Sequence, residues 1–380
     1  MLDLMEAVGV RECPLCGSTK RRTLHQLTLT FGGDQRIYYC TNCSMIYASA
    51  GNPVNYNEDS IYTLPGAIGS GVTENDKKRL DETAAAIDRM FWNKSISILD
   101  VGCAQGGLLN ALKSHGFTNL SGMDPSFACV DMTRAAGHHA YHGTLPGNQV
   151  ASYDLIILSH VLEHIEDVTG ALRGAWDWLK PGGHIYIEVP DASRYWIVGA
   201  PLLDFNSEHI NHFTKRTLQY AIEQAGLRVE SEVQGKIIQL PHYVYPALWV
   251  LATEPAGSYA AMRSYITEAE DRLRKINNYL EAALEGERRI IIWGVNSYCA
   301  NIINLPVFQR VKIVQAIDRN PALHGRIACC GVGVVNPDEI RHSDIPIVIT
   351  TLMSIDSIRA DIGARGLPNQ VISIPNEVYS

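Results

Sequence analysis

The stretch Ser97-Ile98-Leu99-Asp100-Val101-Gly102-Cys103-Ala104-Gln105-Gly106-Gly107 decides the fold of this chain. It begins with a short apolar run, which is typical of a buried β-strand. Glycines follow at once, and residues 106–115 then show apolar side chains at helical spacing. A strand, a glycine turn and a helix in this order predict one crossover of a parallel sheet, where a ligand can approach bare backbone amides.

The residues on both sides of this stretch repeat the same pattern. A helix is predicted before it at 76–91 and another after it at 168–179, and three further strands are predicted at 120–123, 155–158 and 184–189. Strands that alternate with helices predict an α/β fold, a doubly wound parallel sheet with helices on both faces. Residues 258–287 predict one long helix, and 288–380 repeat the strand and helix pattern as a second, smaller α/β domain.

Composition excludes several classes of protein. The chain has 380 residues, which suggests two or three domains. Its 40 acidic and 32 basic side chains give a net charge of −8. This charge argues against electrostatic binding of nucleic acid or of an anionic membrane over a broad surface. The first residues lack a signal-peptide pattern, and no apolar run is long enough to span a bilayer. We therefore expect a cytoplasmic protein.

Four of the nine cysteines form two CxxC pairs near the N-terminus. Cys13 and Cys16 form the first pair, and Cys40 and Cys43 form the second. Paired thiolates in tight turns supply the four ligands of a tetrahedral structural zinc and leave no open position for catalysis. The spacing therefore predicts a zinc-binding module; redox-active or simply buried cysteines are the alternative.

Two acidic residues stand at the ends of neighbouring predicted strands. Asp100 directly precedes the first glycine of the turn, where it would repel a phosphate and would suit a cationic ligand. Asp124 follows 24 residues later, where a carboxylate can accept hydrogen bonds from the two hydroxyls of a ribose. The two acids therefore suit a cationic or amine-bearing ligand and the hydroxyls of a ribose.

From Asp100 to Gly106 the sequence resembles the first motif of the class I S-adenosylmethionine-dependent methyltransferases, with Ala104 in place of a glycine. The resemblance continues through 153–156, 159–165 and 179–183. It implies a Rossmann-like methyltransferase domain at 71–257, preceded by the zinc-binding module and a connection at 1–70. It also implies that S-adenosylmethionine is held by the following residues: Asp100, Gly102, Ala104, Gly106, Asp124, Thr144, Leu145 and His160. A strand-end histidine satisfied by the backbone is the alternative for His160, and an architectural role is favoured for Glu163 and His164.

The segment Asn206-Ser207-Glu208-His209 places an acid beside a histidine just before a predicted helix near Thr214. Such groups suit proton abstraction from a methyl acceptor. A structural histidine is the alternative, and it is favoured for His212.

The order of zinc module, methyltransferase domain, Glu-His segment and C-terminal α/β domain resembles the sugar C-methyltransferases that act on nucleotide-linked keto-deoxysugars. The resemblance implies a base that removes the proton next to the keto group, and an enolate that attacks the methyl group. His209 is then the base, Glu208 orients it, and Asn206 offers a donor where some members have tyrosine. The partner implied is a nucleotide diphosphate sugar. Two other hypotheses stay open: O- or N-methylation of a small molecule, and a cofactor-binding scaffold without catalysis.

In the C-terminal α/β domain, Gly294 follows a predicted strand and Asp318 ends the next one. This pattern favours either a nucleotide site or a Rossmann-like fold that only packs against its neighbours. Arg319, His324 and Arg326 are interpreted as solvated surface. The long helix at 258–287 is predicted to link this domain, 288–380, to the rest of the chain.

Overall fold

A computed structural model describes residues 11–28, 34–51, 56, 62, 64, 69, 71–147, 153–239, 244–341 and 344–378 of the chain. The chain divides into two compact units, Met1–Ala260 and Ala261–Ser380. The first unit contains both the cysteine pairs and the glycine-rich stretch, and each unit has its own core.

The strands of the first unit are β1 (Arg21–Thr28), β2 (Asp34–Cys40), β3 (Ile46–Ala48), β4 (Ser97–Val101), β5 (Asn119–Asp124), β6 (His139–His142), β7 (Tyr153–Ser159), β8 (Leu179–Pro190), β9 (Asn211–His212), β10 (Arg228–Val229), β11 (Gln234–Gln239) and β12 (Val244–Thr253). Its α-helices are α1 (Glu74–Met90), α2 (Gly107–Ser114), α3 (Phe127–Ala135), α4 (Val168–Asp177) and α5 (Lys215–Gln224). Short 3-10 helices span Leu162–His164 and Ala192–Ile197.

The main sheet has the order β10-β12-β8-β7-β4-β5-β6, with β11 paired to β12. Strands β4 to β8 pair in parallel, whereas β12 pairs antiparallel with β8, so the sheet is mixed. The predicted parallel sheet is therefore present with an antiparallel edge. The carboxyl ends of β4, β5 and β7 meet at one edge, which is where ligands bind in open α/β sheets.

Both faces of the sheet are buried, as the apolar strands predict. Leu99 and Val101 of β4 pack in one hydrophobic core with α4 and α5, while Ile98 packs in another core with α1 and α2. This alternation follows from the two-residue repeat of a strand. Helix α5 begins after Thr214, whose side chain caps it, so the predicted helix start near Thr214 is confirmed.

The N-terminal strands form a second sheet of order β1-β2-β3-β9. Strand β9 comes from the chain that follows β8, and its residues Asn211 and His212 pair with β3. Arg11 adds hydrogen bonds to Ile210 O and to Asn211 Oδ1 at 3.0 and 2.9 Å. The cysteine-bearing segment is therefore joined to the main α/β unit by backbone pairing, which local sequence patterns do not reveal.

The long helix α6 (Ser258–Ala283) leads into β13 (Arg289–Trp293), β14 (Lys312–Ile317), β15 (Val334–Val335), β16 (Ile347–Ile349) and β17 (Val371–Ile372). The remaining helices are α7 (Ser297–Ile302), α8 (Pro306–Arg310) and α9 (Ile355–Ala364). The sheet order β15-β14-β13-β16-β17 is parallel throughout. Helix α6 ends four residues before the predicted position 287, in a turn where Gly286 has a φ of 83°. In the described parts of the chain, no helix is both long and apolar enough to cross a membrane.

Candidate active site

The four N-terminal cysteines converge as the spacing predicts. The sulfur atoms of Cys13 and Cys43 are 3.4 Å apart, and those of Cys16 and Cys40 are 3.6 Å apart. All four sulfurs lie within 4.8 Å of one another. Tetrahedral Zn–S bonds of about 2.3 Å place sulfurs roughly 3.8 Å apart, so this donor set fits a zinc ion.

The glycine turn after β4 has the left-handed backbone that lets a ligand approach. Gly102 has a φ of 72°, and a Cβ placed there would lie 2.9 Å from Val161 Cγ2. Gly106 has a φ of 80° and begins α2. Ala104 has a φ of 44°, a region that costs an alanine about 1–2 kcal/mol. A hydrogen bond of 2.8 Å from Thr133 Oγ1 to Ala104 O supports this turn.

The two acids at the strand ends differ in their hydrogen bonds and in their protonation. Asp124 accepts hydrogen bonds from the amides of Ala104 and Ser126 at 2.9 and 2.8 Å, and its carboxylate retains acceptor capacity for ribose hydroxyls. Burial, together with the nearby Asp124, raises the pKa of Asp100 to about 8. Near neutral pH Asp100 is therefore mostly protonated in the protein alone. Asp100 therefore becomes the anion expected from the sequence only when a bound cation lowers its pKa.

The other residues that the resemblance assigns to the cofactor lie at the same edge of the sheet. Thr144 is exposed and Leu145 is buried, and both follow β6, which pairs with β5. His160 directly follows β7 and has a φ of 57°. Strand ends of a parallel sheet bring these residues together although they are far apart in sequence.

His160 lies between two buried carboxylates. Its Nδ1 is 3.2 Å from Glu163 Oε1, and its Nε2 is 3.2 Å from Glu188 Oε1. Burial opposes charge, but these hydrogen bonds raise the pKa of His160 overall. Since both ring nitrogens face carboxylates, the imidazolium form is favoured, and the backbone partner considered as the alternative is not observed for the ring.

His209 and His164 lie next to Glu163. The two rings are 5.0 Å apart and nearly perpendicular, and one ligand atom from each of the three side chains lies within 4.8 Å of the others. His164 Nδ1 donates to Glu208 O at 3.2 Å. Among the described residues, His209 Nδ1 and Glu163 Oε2 are buried and have no hydrogen-bond partner. These three donors would also suit a divalent cation.

The charge state of His209 follows from these neighbours. Burial and the adjacent His164 lower the pKa of His209 to about 4, although Glu163 acts in the opposite direction. Burial acts against ionisation of Glu163 as well, but His160 holds its pKa at about 2. At neutral pH a neutral imidazole therefore faces a carboxylate anion.

Glu208 has partners other than the one predicted. Tyr62 Oη donates to Glu208 Oε2 at 2.7 Å, and Tyr56 Oη lies 3.4 Å from the same oxygen. Asn206 Oδ1 accepts the backbone amides of Glu208 and His209, both at 2.9 Å. The carboxylate that the structure brings to His209 is thus Glu163, whereas Glu208 is held by tyrosines.

Tyr62 also joins this cluster to the glycine turn, since its backbone oxygen accepts a hydrogen bond from Gln105 Nε2. Tyr62 was not predicted from the sequence as a site residue, and Glu163 was predicted to have an architectural role. Tyr62 and Glu208 are 146 positions apart, and no local spacing connects them. The tyrosine-rich composition of the connection was the one available signal.

The C-terminal unit has a smaller candidate site at the carboxyl ends of its strands. Gly294 has a φ of 107°, and the amide of Val295 donates to Asp318 Oδ2 at 2.8 Å. A cavity of about 120 Å³ lies there, lined in part by Asn296 and Arg319. Asp318 also accepts the amide of Asn320 at 2.8 Å, so both of its carboxylate oxygens hold backbone turns. Arg319 and Arg326 are exposed, and His324 is half-buried with its Nε2 bonded to Asp318 O at 2.8 Å.

Comparison with known proteins identifies the central part of the chain. Residues 76–232 match the family model described as a methyltransferase domain. The chain contains a class I S-adenosylmethionine-dependent methyltransferase domain. The predicted methyltransferase domain is confirmed for residues 76–232, and the glycine turn and the His209 cluster both lie within it.

Curated relatives of the methyltransferase domain are named ubiquinone biosynthesis O-methyltransferase. The protein from Xanthomonas axonopodis pv. citri (strain 306) is 28% identical over 162 residues, covering 37% of this chain and 66% of the relative. The protein from Coxiella burnetii (strain Dugway 5J108-111) is 29% identical over 129 residues, covering 30% and 53%. The chain thus spans about half to two thirds of the length of these relatives.

Among solved structures, a methyltransferase from Mesorhizobium loti is 22% identical, with a TM-score of 0.36, and the match covers 46% of this chain and 99% of that one. One from Methanosarcina mazei is 15% identical, with a TM-score of 0.38, covering 45% and 98%.

Proposed function

We propose that this protein transfers a methyl group from S-adenosylmethionine to a carbon atom next to the keto group of a nucleotide-linked keto-deoxysugar. The observation that carries the proposal is His209, a neutral imidazole beside the Glu163 anion, whose buried Nδ1 has no hydrogen-bond partner among the described residues. A neutral imidazole can accept a proton, and the adjacent anion stabilises the imidazolium that forms.

The glycine turn supplies the cofactor site in this proposal. The backbone of Gly102, Ala104 and Gly106 lines it, and Asp124 holds the ribose. Thr144 and Leu145 lie near the adenine, with Asp100 and His160 at the edge of the site. S-adenosylmethionine supplies an electrophilic methyl group when it is bound. The positive charge on its sulfonium is compatible with the buried carboxyl of Asp100.

Proton removal falls to the 206–209 segment. His209 takes the proton from the carbon next to the keto group, which leaves an enolate. Asn206 uses its Oδ1 to hold the backbone of Glu208 and His209, so its amide nitrogen remains as a donor to the developing oxyanion. Tyr62 and Glu208 form a hydrogen-bonded pair next to this segment.

The second candidate is O-methylation, which the printed name of the curated relatives favours. His209 would then deprotonate a hydroxyl group instead of a carbon. A scaffold that binds the cofactor without turnover is the third hypothesis, and the neutral base beside an anion weighs against it.

Solvent exchange separates these candidates. Nucleotide-linked keto-deoxysugars are incubated with the protein in deuterium oxide without cofactor, and mass spectrometry follows deuterium at the carbon next to the keto group. Carbon chemistry predicts exchange that His209→Ala abolishes, Glu208→Gln reduces and the exposed control His139→Ala leaves unchanged. If methyl transfer occurs without any exchange, the carbon assignment is wrong and O-methylation stands.

We also propose that Cys13, Cys16, Cys40 and Cys43 bind one structural zinc ion. The support is the convergence of four sulfurs at distances close to those of a tetrahedral thiolate site. The ion would fix the two turns that begin and end the β1–β2 hairpin. The role is structural, because four protein ligands leave no position for a substrate.

A further inference from the structure

A cavity of about 400 Å³ lies beside the His209 cluster, between the 3-10 helix Ala192–Ile197 and the loop that follows it. This volume is in the range of small-molecule pockets. The backbone of Asp204 hydrogen-bonds to His209, and Asp204 is one of the residues that line the cavity. The cavity therefore borders the group that we propose as the base.

Most of the cavity wall is apolar and accessible. Trp196, Leu202 and Leu203 line it, and their exposed fractions are 82%, 50% and 51%. Leu202 has a φ of 60°, a conformation that costs a leucine about 1–3 kcal/mol. Large apolar side chains that are exposed around a cavity favour binding of a ligand with an apolar surface.

The wall contains one carboxylate, that of Asp204, which is only 6% exposed. Burial raises the pKa of Asp204 to about 6, the Glu163 anion adds to the effect and the His160 imidazolium opposes it. Tyr195, whose hydroxyl bonds to His212, is the remaining titratable group on the wall. Near neutral pH the carboxylate of Asp204 is thus largely ionised at the edge of an apolar space.

We propose that this cavity is the acceptor subsite and that it takes an apolar ring carrying a protonated amine, held by the carboxylate of Asp204. An ammonium group is preferred to a hydroxyl because a buried ion gains most from a charged partner. The apolar wall suits a ring face with few hydroxyl groups, as in a deoxysugar. Only the assignment to the acceptor rests on the proposed function; the preference for an amine does not.

Calorimetric titration of the full chain, saturated with S-adenosylhomocysteine, tests this inference with two probes of equal size. Cyclohexylamine carries the charge and cyclohexanol does not. We expect the amine to bind on the order of ten-fold more tightly near neutral pH. Asp204→Asn should abolish this preference, whereas Asp177→Asn, an exposed acid in α4, should retain it.

Two further measurements use the wild type and a variant at an exposed side chain, neither of which is expected to disturb folding. The wild-type preference for the amine should fade as the pH drops below about 6, because Asp204 then becomes protonated. Trp196→Ala, a change at an exposed side chain, should weaken both probes alike.

Equal binding of the two probes to the wild type overturns the inference, as does a preference that survives in Asp204→Asn. If the amine binds to the protein without S-adenosylhomocysteine but not to the saturated protein, the cavity belongs to the cofactor site and the acceptor assignment is overturned. Solvent exchange and methyl transfer are measured separately, so failure of the amine preference leaves the proposed function standing. An amine preference without any methyl transfer would refute the proposed function and leave the ligand preference intact.

Discussion

Glu163→Gln is expected to destabilise the first unit in a manner that depends on pH. Glu163 is 1% exposed and pairs with His160 through an oxygen–nitrogen distance of 3.2 Å. Burial opposes its ionisation, yet the hydrogen bond and the charge of His160 lower its pKa from 4.5 to about 2. At about 1.36 kcal/mol for each pKa unit, this lowering of the pKa corresponds to about 3 kcal/mol of folding free energy.

The direction of the effect follows from the lowered pKa. The stabilisation is complete above the unfolded-state pKa of 4.5 and is lost as the pH falls towards about 2. We therefore expect the wild type to exceed Glu163→Gln by about 3 kcal/mol near neutral pH. The difference should shrink steadily below pH 4.5.

Urea unfolding followed by tryptophan fluorescence measures this difference. Five of the six tryptophans, all except Trp293, lie in the first unit, so the signal reports mainly on that unit. Glu223→Gln changes an exposed acid of α5 and should leave the unfolding free energy within about 0.5 kcal/mol of the wild type. A loss in Glu163→Gln that is the same at pH 7 and at pH 3 would refute the reasoning, because the effect would then not come from the charge.

Three further predictions concern the metal and the cofactor. Metal analysis should find one zinc per chain, lost in Cys13→Ser and retained in Cys329→Ser, which changes an exposed cysteine; equal zinc in both variants would exclude the site. Asp124→Ala should weaken S-adenosylmethionine binding at least ten-fold in calorimetry. It removes the carboxylate that accepts the ribose hydroxyls, and it also removes two hydrogen bonds that hold the turn. The control Asp131→Ala should have little effect on binding. The pKa of Asp100 is raised to about 8, so binding of the S-adenosylmethionine cation should release the proton of its carboxyl group. The affinity for S-adenosylmethionine should therefore rise as the pH rises towards 8. This pH dependence should be absent in Asp100→Asn.

Local patterns predicted the elements of the methyltransferase domain well. The strand at 97–101 and the helices near 76–91 and 168–177 are present because apolar periodicity and caps act within a few residues. The helix at 168–179 ends two residues early, since Leu179 already begins β8. The CxxC spacing also predicted four converging sulfurs, because each pair needs only a local turn.

The acid–base cluster was predicted only in part. His209 and Glu208 were recognised as a neighbouring pair, yet in the structure they have different partners. Glu163 reaches His209 from the end of β7, and Tyr62 reaches Glu208 from the connection before α1. Glu208 lies in a bend in which Asn206 Oδ1 accepts the amides of Glu208 and His209, so sequence adjacency did not imply contact between the two side chains.

The sequence by itself determined the α/β class, the glycine turn, the acids at the strand ends and the cysteine pairs. Each depends on interactions within one strand, turn or helix. Only the tertiary structure decided that His209 is neutral, that Asp100 retains its proton and that Asp204 faces an apolar cavity. Those properties depend on burial and on charges brought close from distant positions, and the free energy of a buried charge is set by its neighbours in space.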